Sequence, residues 1–174
     1  MKTKLIISSL FISSVFMPLA HAEDGQIKFK GKIISSSCEI TQNTKNQTVN
    51  MGEINTTAFN GIGSTAAATH FSIKLTKCPE ANKHASVKFD GQPDNINKNL
   101  LALENTASGA ADGIAIGIYE PNSNTPIAMA RSSSQKDIKN NGAELEFVAR
   151  YVATKATVTP GTGNAVASFT IDYN

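Results

Sequence analysis

The chain is poor in the groups that carry out covalent chemistry. Its 174 residues include two cysteines, Cys38 and Cys78, and three histidines, one of them His21 in a leader. His70 and His84 remain, each alone among polar neighbours, whereas acyl or phosphoryl transfer needs a nucleophile, a base and oxyanion donors together. The many serines come with no Gly-x-Ser-x-Gly elbow and no glycine-rich phosphate loop. Cys38, Cys78, His70 and His84 also fail as a metal set, because no two of them share a local motif. The composition therefore argues against an enzyme and names no cofactor and no metal. No segment keeps a helical period for three turns, which argues against a helical fold. Outside the first residues no hydrophobic run is long enough to hold the chain in a bilayer. Charge of either sign in excess is missing too. Without Lys2 and Lys4 the 16 basic residues become 14, equal to the 14 acidic ones. A near-neutral product gives no electrostatic case for binding nucleic acid or anionic membrane. It also lowers the repulsion between close copies.

What is present begins with a leader in three parts. Met1 to Lys4 is a basic start, Leu5 to Leu19 an apolar run, and Ala20-His21-Ala22 a small-x-small cleavage box. The run holds Ser8, Ser9, Ser13, Ser14 and Pro18, too short and polar for a stable span. Residues 1–22 are expected to be a cleaved signal peptide and Glu23 the first mature residue. The last 152 residues are enough for one domain with a sizeable core. Export to an oxidising compartment predicts a disulfide between Cys38 and Cys78. Closing a loop of that size restricts the unfolded chain by about 4 kcal/mol.

Strand signals dominate the mature chain. Phe71, Ile73 and Leu75 alternate with polar residues, as do Val87 and Phe89, and Ile114, Ile116 and Ile118 alternate with small ones. Leu145, Phe147, Ala149 and Tyr151 alternate against Glu144, Glu146, Val148 and Arg150. Turn clusters separate them at Asn43–Asn46, Asn60–Gly63, Gly91–Asp94, Pro121–Asn124 and Asn140–Gly142, and the whole reads as an antiparallel sandwich. No linker divides it. Residues 95–110 stay open: Leu100, Leu101 and Leu103 fit a short strand or one helical turn. Asn46-Gln47-Thr48 and Asn55-Thr56-Thr57 match the glycosylation pattern, a weak signal in a chain this rich in Asn and Thr.

The two ends of the mature chain are complementary. Gln26 to Ile33 alternate, with Ile27, Phe29, Gly31 and Ile33 on one face and Lys28, Lys30 and Lys32 on the other. Ala165, Ala167, Phe169, Ile171 and Tyr173 alternate at the far end. A loose strand in front and an amphipathic strand behind invite head-to-tail exchange between copies. The residues alone leave a second reading open, in which 26–34 form the domain's own first strand.

Several short motifs in fixed order carry a family resemblance. Phe29-x-Gly31 is followed by Cys38 seven residues later and Cys78 after a further 40. Between and beyond them stand Val49-x-Met51-Gly52, Phe71-x-Ile73-x-Leu75 ahead of Cys78-Pro79, and Phe89-Asp90-Gly91. Gly161 lies 14th from the end and Tyr173 is penultimate. Together they resemble the fimbrial subunits, or pilins, of the bacterial chaperone–usher family, near the type 1 pilus branch, across the whole mature chain.

The resemblance implies an all-β, immunoglobulin-like antiparallel sandwich lacking its final strand, over residues 36–174. Residues 23–35 would be a donor extension that fills the groove of a neighbouring subunit through Ile27, Phe29, Gly31 and Ile33. Gly161, Ala165, Ala167, Phe169, Ile171, Tyr173 and the Asn174 carboxylate would form the groove edge that a periplasmic chaperone grips. Met51-Gly52 and Gly91 read as backbone turns. The implied partners are further copies, related fimbrial subunits, the chaperone and an outer-membrane usher, with no nucleic acid and no membrane span in the mature chain. The implied product is a cell-surface fimbria that supports adhesion. A receptor- or glycan-binding adhesin-type module, or a minor adaptor subunit, is the alternative.

Overall fold

Alternation of β-branched and aromatic residues with polar ones gives each strand one apolar face, and two sheets pack those faces together. The computed structural model describes residues 25–31, 33, 37–104 and 109–174. The leader, Glu23, Lys32 and residues 105–108 of the open segment lie outside the described residues. The chain divides after Ile33. Ahead of that point Gly25–Gly31 and Ile33 form no strand and are exposed.

Behind it come β1 (Glu39–Ile40), α1 (Gln42–Lys45), β2 (Thr65–Thr76), β3 (His84–Asp90), β4 (Ile114–Tyr119), β5 (Lys136–Asp137), β6 (Ala143–Ala153) and β7 (Ser168–Tyr173). They make two antiparallel sheets, ordered β1-β2-β6-β4 and β5-β3-β7. In place of the turn cluster expected at Asn43–Asn46, the chain makes the single helical turn α1. The expected Asn140–Gly142 turn joins β5 to β6. Asn140 and Asn141 take φ 50° and 59°, and Lys139 and Gly142 exchange backbone hydrogen bonds of 2.9 and 3.0 Å. Asparagine tolerates this left-handed backbone, whose twist suits a hairpin.

The inward faces meet in a core of Ile73, Leu75, Val87, Phe89, Ile118, Leu145 and Phe147. Phe71, Phe89 and Phe147 stack in a triad with centroids 4.9–6.1 Å apart, the Phe89–Phe147 pair edge to face. The outer face of β6 departs from its expected polarity. Val148 and Val152 are buried with Leu100, Ala115 and Tyr119 in a second cluster. The open segment supplies the cover. Leu101 makes neither a full strand nor a helical turn but a two-bond bridge to Ile116, 2.8 and 2.9 Å, along the outer edge of β4. Ile127 continues that cover by donating to Ile118 O at 2.7 Å.

Candidate functional site

Among the described residues every sheet edge but one is short or covered. β1 and β5 have two residues each, β4 is capped by Leu101 and Ile127, and the far side of β3 is bonded by Ala130 and Ser133. β7 pairs with β3 on one side and, among the described residues, with no strand on the other. An exposed row of backbone donors and acceptors over apolar side chains is a template for another strand.

Beside that edge runs a groove of about 860 Å³. One rim is Gly163 to Phe169, leading into and opening β7; the other is Lys45 to Gly52. The floor is core: Phe71 and Ile73 from β2, Phe89 from β3, Ile116 and Ile118 from β4, Ala149 and Tyr151 from β6. Val49, Met51, Ala165, Ala167 and Phe169 pack on the core but stay half-buried. These are inward-facing side chains whose cover is incomplete. Lys45 and Glu104 are the only charged groups along the groove, and neither has an ion-pair partner among the described residues.

Two tyrosines stand near the groove, Tyr151 in its lining and Tyr173 outside it. Tyr151 donates to Gly163 O at 3.0 Å, and burial raises its pKa. Burial raises that of Tyr173 too, partly offset by a backbone hydrogen bond at Cys38. Both phenols therefore stay neutral at physiological pH, as an apolar groove requires. Carboxylate perturbations lie elsewhere: Lys155 lowers the Asp112 pKa, and Lys139, then His84, lower that of Asp137.

The residues singled out from the sequence fall into separate places. Cys38 and Cys78 form the expected disulfide, buried between the start of β1 and the end of β2. Ile27, Phe29 and Ile33 are 83%, 91% and 102% exposed, and Gly31 has open space around it. Ala165, Ala167 and Phe169 line the groove, whereas Ile171 and Tyr173 pack on the core beyond its end. Asn174 accepts from the backbones of Lys83 and His84. Gly161 precedes the strand: a Cβ there would fall into the backbone of Gly109, Ala110 and Ala111, where Ala111 donates to Thr162 O. Gly161→Ala is therefore expected to cost about 1–3 kcal/mol, read as a lower urea midpoint at unchanged m-value.

Sequence reasoning missed the second rim. Gly52 does take a turn conformation, φ 70°, but Met51 lines the groove. The inward pair Val49 and Met51 was the available signal. Gly91 is no left-handed turn; a Cβ there would lie 2.5 Å from Leu101 Cδ1, so close packing explains it. Asn55 of the second glycosylation match accepts from Thr57 N and caps a 3₁₀ turn.

The described residues thus form a two-sheet, immunoglobulin-like sandwich with one unpaired edge beside a groove. The comparisons say which family uses it here. The fimbrial protein family matches residues 27–174. The probable major fimbrial subunit LpfA of Escherichia coli O157:H7 is 36% identical over 173 residues, covering 99% of this chain and 96% of that one. The crystal structure of the Burkholderia pseudomallei antigen and type I fimbria protein BPSL1626 is also similar. It is 36% identical at TM-score 0.61, over 80% of this chain and 91% of that one. A chain of a chaperone–usher pilus with an uncoiling rod shares the fold, with TM-score 0.65 and 20% identity over 91% of this chain and 100% of that one. The chain belongs to the fimbrial protein family, as a pilus subunit. It is a structural component of extracellular surface pili and assembles with other subunits. Among the described residues no helix is long and apolar enough to cross a membrane.

Proposed function

We propose that this subunit polymerises by donor-strand exchange: residues 23–35 of one copy enter the groove beside β7 of the next. The observation that carries the reading is the unpaired edge of β7 above an apolar groove. Pilin donor-strand complementation is a recognised instance of β-strand addition, in which main-chain bonds give affinity and alternate side chains fill pockets. The lengths support it, since Ile27 to Ile33 contains as many residues as the rim from Gly163 to Phe169. Burial of Ile27, Phe29 and Ile33 would contribute about 5–8 kcal/mol before ordering costs. Gly31 keeps the middle of that face flat, and the lysines stay in water. A head-to-tail contact that does not close on itself builds a filament.

Before assembly a periplasmic chaperone would lend the missing strand along β7, and an outer-membrane usher would receive the subunit. The finished fibre would support adhesion. The role is structural, with no catalytic step and no cofactor; His84 pairs with Asp137 at 3.1 Å on an exposed strand end. The similarity to a probable major fimbrial subunit favours the shaft over an adaptor or a glycan-binding module.

Deletion of residues 23–32 tests the reading. The shortened chain should still bind a synthetic donor peptide yet fail to extend a fibre from its own front end. Fibres of ordinary length in electron micrographs would defeat it.

A further inference from the structure

Accessible sulfur is scarce in this molecule. Of four methionines, Met1 and Met17 lie in the leader, which leaves Met51 and Met129. Cys38 and Cys78 are tied up in the disulfide, and no free cysteine accompanies them among the described residues. Met129 is only 8% exposed, within the core cluster. Met51 is half-buried and lines the groove together with Val49, Ala165 and Ala167. It is thus the one sulfur among the described residues that an oxidant can reach from the open groove.

We propose that Met51 is an oxidation-sensitive site whose state decides whether the groove accepts an apolar strand. This inference rests on the donor-strand reading. The oxidant class is a two-electron oxygen donor such as hydrogen peroxide. The sulfur lone pair attacks one peroxide oxygen, an S–O bond forms and the O–O bond breaks. The departing hydroxide takes up the proton of the transferred hydroxyl and leaves as water. Sulfur loses two electrons, peroxide gains two, and the thioether becomes a sulfoxide.

The product places a strong acceptor in a groove whose apolar lining includes Val49, Phe71, Ile118, Ala165 and Ala167 and whose rims also carry Gln47, Asn50 and Asn164. The nearby Gln47 amide already donates to the carbonyls of Thr44 and Ser72. A strand laid over the sulfoxide strips water from a strong acceptor beside apolar side chains, which weakens insertion. A strand already in place covers Met51 and keeps the oxidant out. Sensitivity is thereby confined to subunits whose groove holds no strand, neither a neighbour's nor the chaperone's, and methionine sulfoxide reductase reverses it.

The test exposes the full mature chain, dilute, to a limiting dose of hydrogen peroxide, with and without excess peptide of sequence Gly25–Ile33. Peptide mass spectrometry then locates the added oxygen. Met51 should oxidise at least about tenfold faster than Met129, and bound peptide should remove that difference. The oxidised chain should bind fresh peptide about tenfold or more weakly, and reductase treatment should restore it. The affinity of Met51→Leu for the peptide, whatever its starting value, should be the same before and after peroxide, because no sulfur is left on the groove wall. Equal rates at the two methionines, or a Met51 sulfoxide that binds peptide unchanged, overturns the proposal. An untreated chain that binds no peptide overturns the donor-strand reading along with it.

Discussion

Phe29→Asp, expressed with the assembly machinery, is expected to give a folded, disulfide-bonded subunit that forms no fibres. Phe29 is 91% exposed, so the fold of the subunit should lose no more than about 0.5 kcal/mol. Inside a neighbour's groove the same position would face Phe71, Phe89 and Ile118. There the substitution forfeits about 1.5–3 kcal/mol of burial and adds the cost of a carboxylate with no partner, several kcal/mol more. A loss above about 4 kcal/mol lowers association by roughly three orders of magnitude. Electron microscopy reads the fibres, gel filtration the subunit and thiol titration the bridge. Phe29→Leu, which keeps the apolar volume, should assemble. Wild-type fibres from Phe29→Asp would remove the arm from the groove.

The strands were legible because a half-buried strand writes its burial as alternation, and β2, β3, β6 and β7 each have one clean face. Alternation reports only on a strand's own neighbours, so it fails where a distant segment adds cover. Val148 sits between Phe147 and Ala149 in a phase that reads as outward, yet it is 1% exposed because Leu100 and Tyr119 lie over it. Nothing local to β6 could announce Leu100, almost fifty positions earlier.

The groove was legible on one side for the same reason. Ala165, Ala167 and Phe169 belong to a regular pattern, whereas Val49 and Met51 stand in a segment without backbone pairing, where a two-residue signal is easily read as a turn. The end of the groove was not legible at all. Ile171 and Tyr173 continue the pattern of Phe169 without interruption, but the groove stops before them. Past Phe169 a tertiary contact takes over, where the backbone of Cys38 reaches the Tyr173 phenol. Gly161 shows the converse case. Its position was conspicuous from the sequence, but its cause, the backbone of Gly109 to Ala111, lies in a segment whose course the sequence left open.

Replacing both Cys38 and Cys78 by serine is expected to lower the stability of the subunit by about 2–5 kcal/mol, since the bridge closes a loop with sequence separation 40. At ordinary urea m-values this moves the midpoint down by about 1–3 M. The location makes the loss consequential for the groove. β1 pairs with β2 at Glu39↔Thr76 and Ile40↔Leu75, and Thr41 N adds a bond to Lys74 O just beyond it. From β1 the chain passes through α1 directly into Lys45 to Gly52, the second rim. That rim carries few bonds of its own; Gln47 reaches Ser72 O at 3.0 Å, and Thr44 Oγ1 accepts from Lys74 N at 3.1 Å. The covalent tie at Cys38 therefore anchors a wall that backbone pairing barely holds. Peptide affinity should fall more steeply in the double serine variant than in a core variant of matched stability such as Leu145→Ala. A urea midpoint unchanged within about 0.3 M would show that β1 and the rim hold without the bridge.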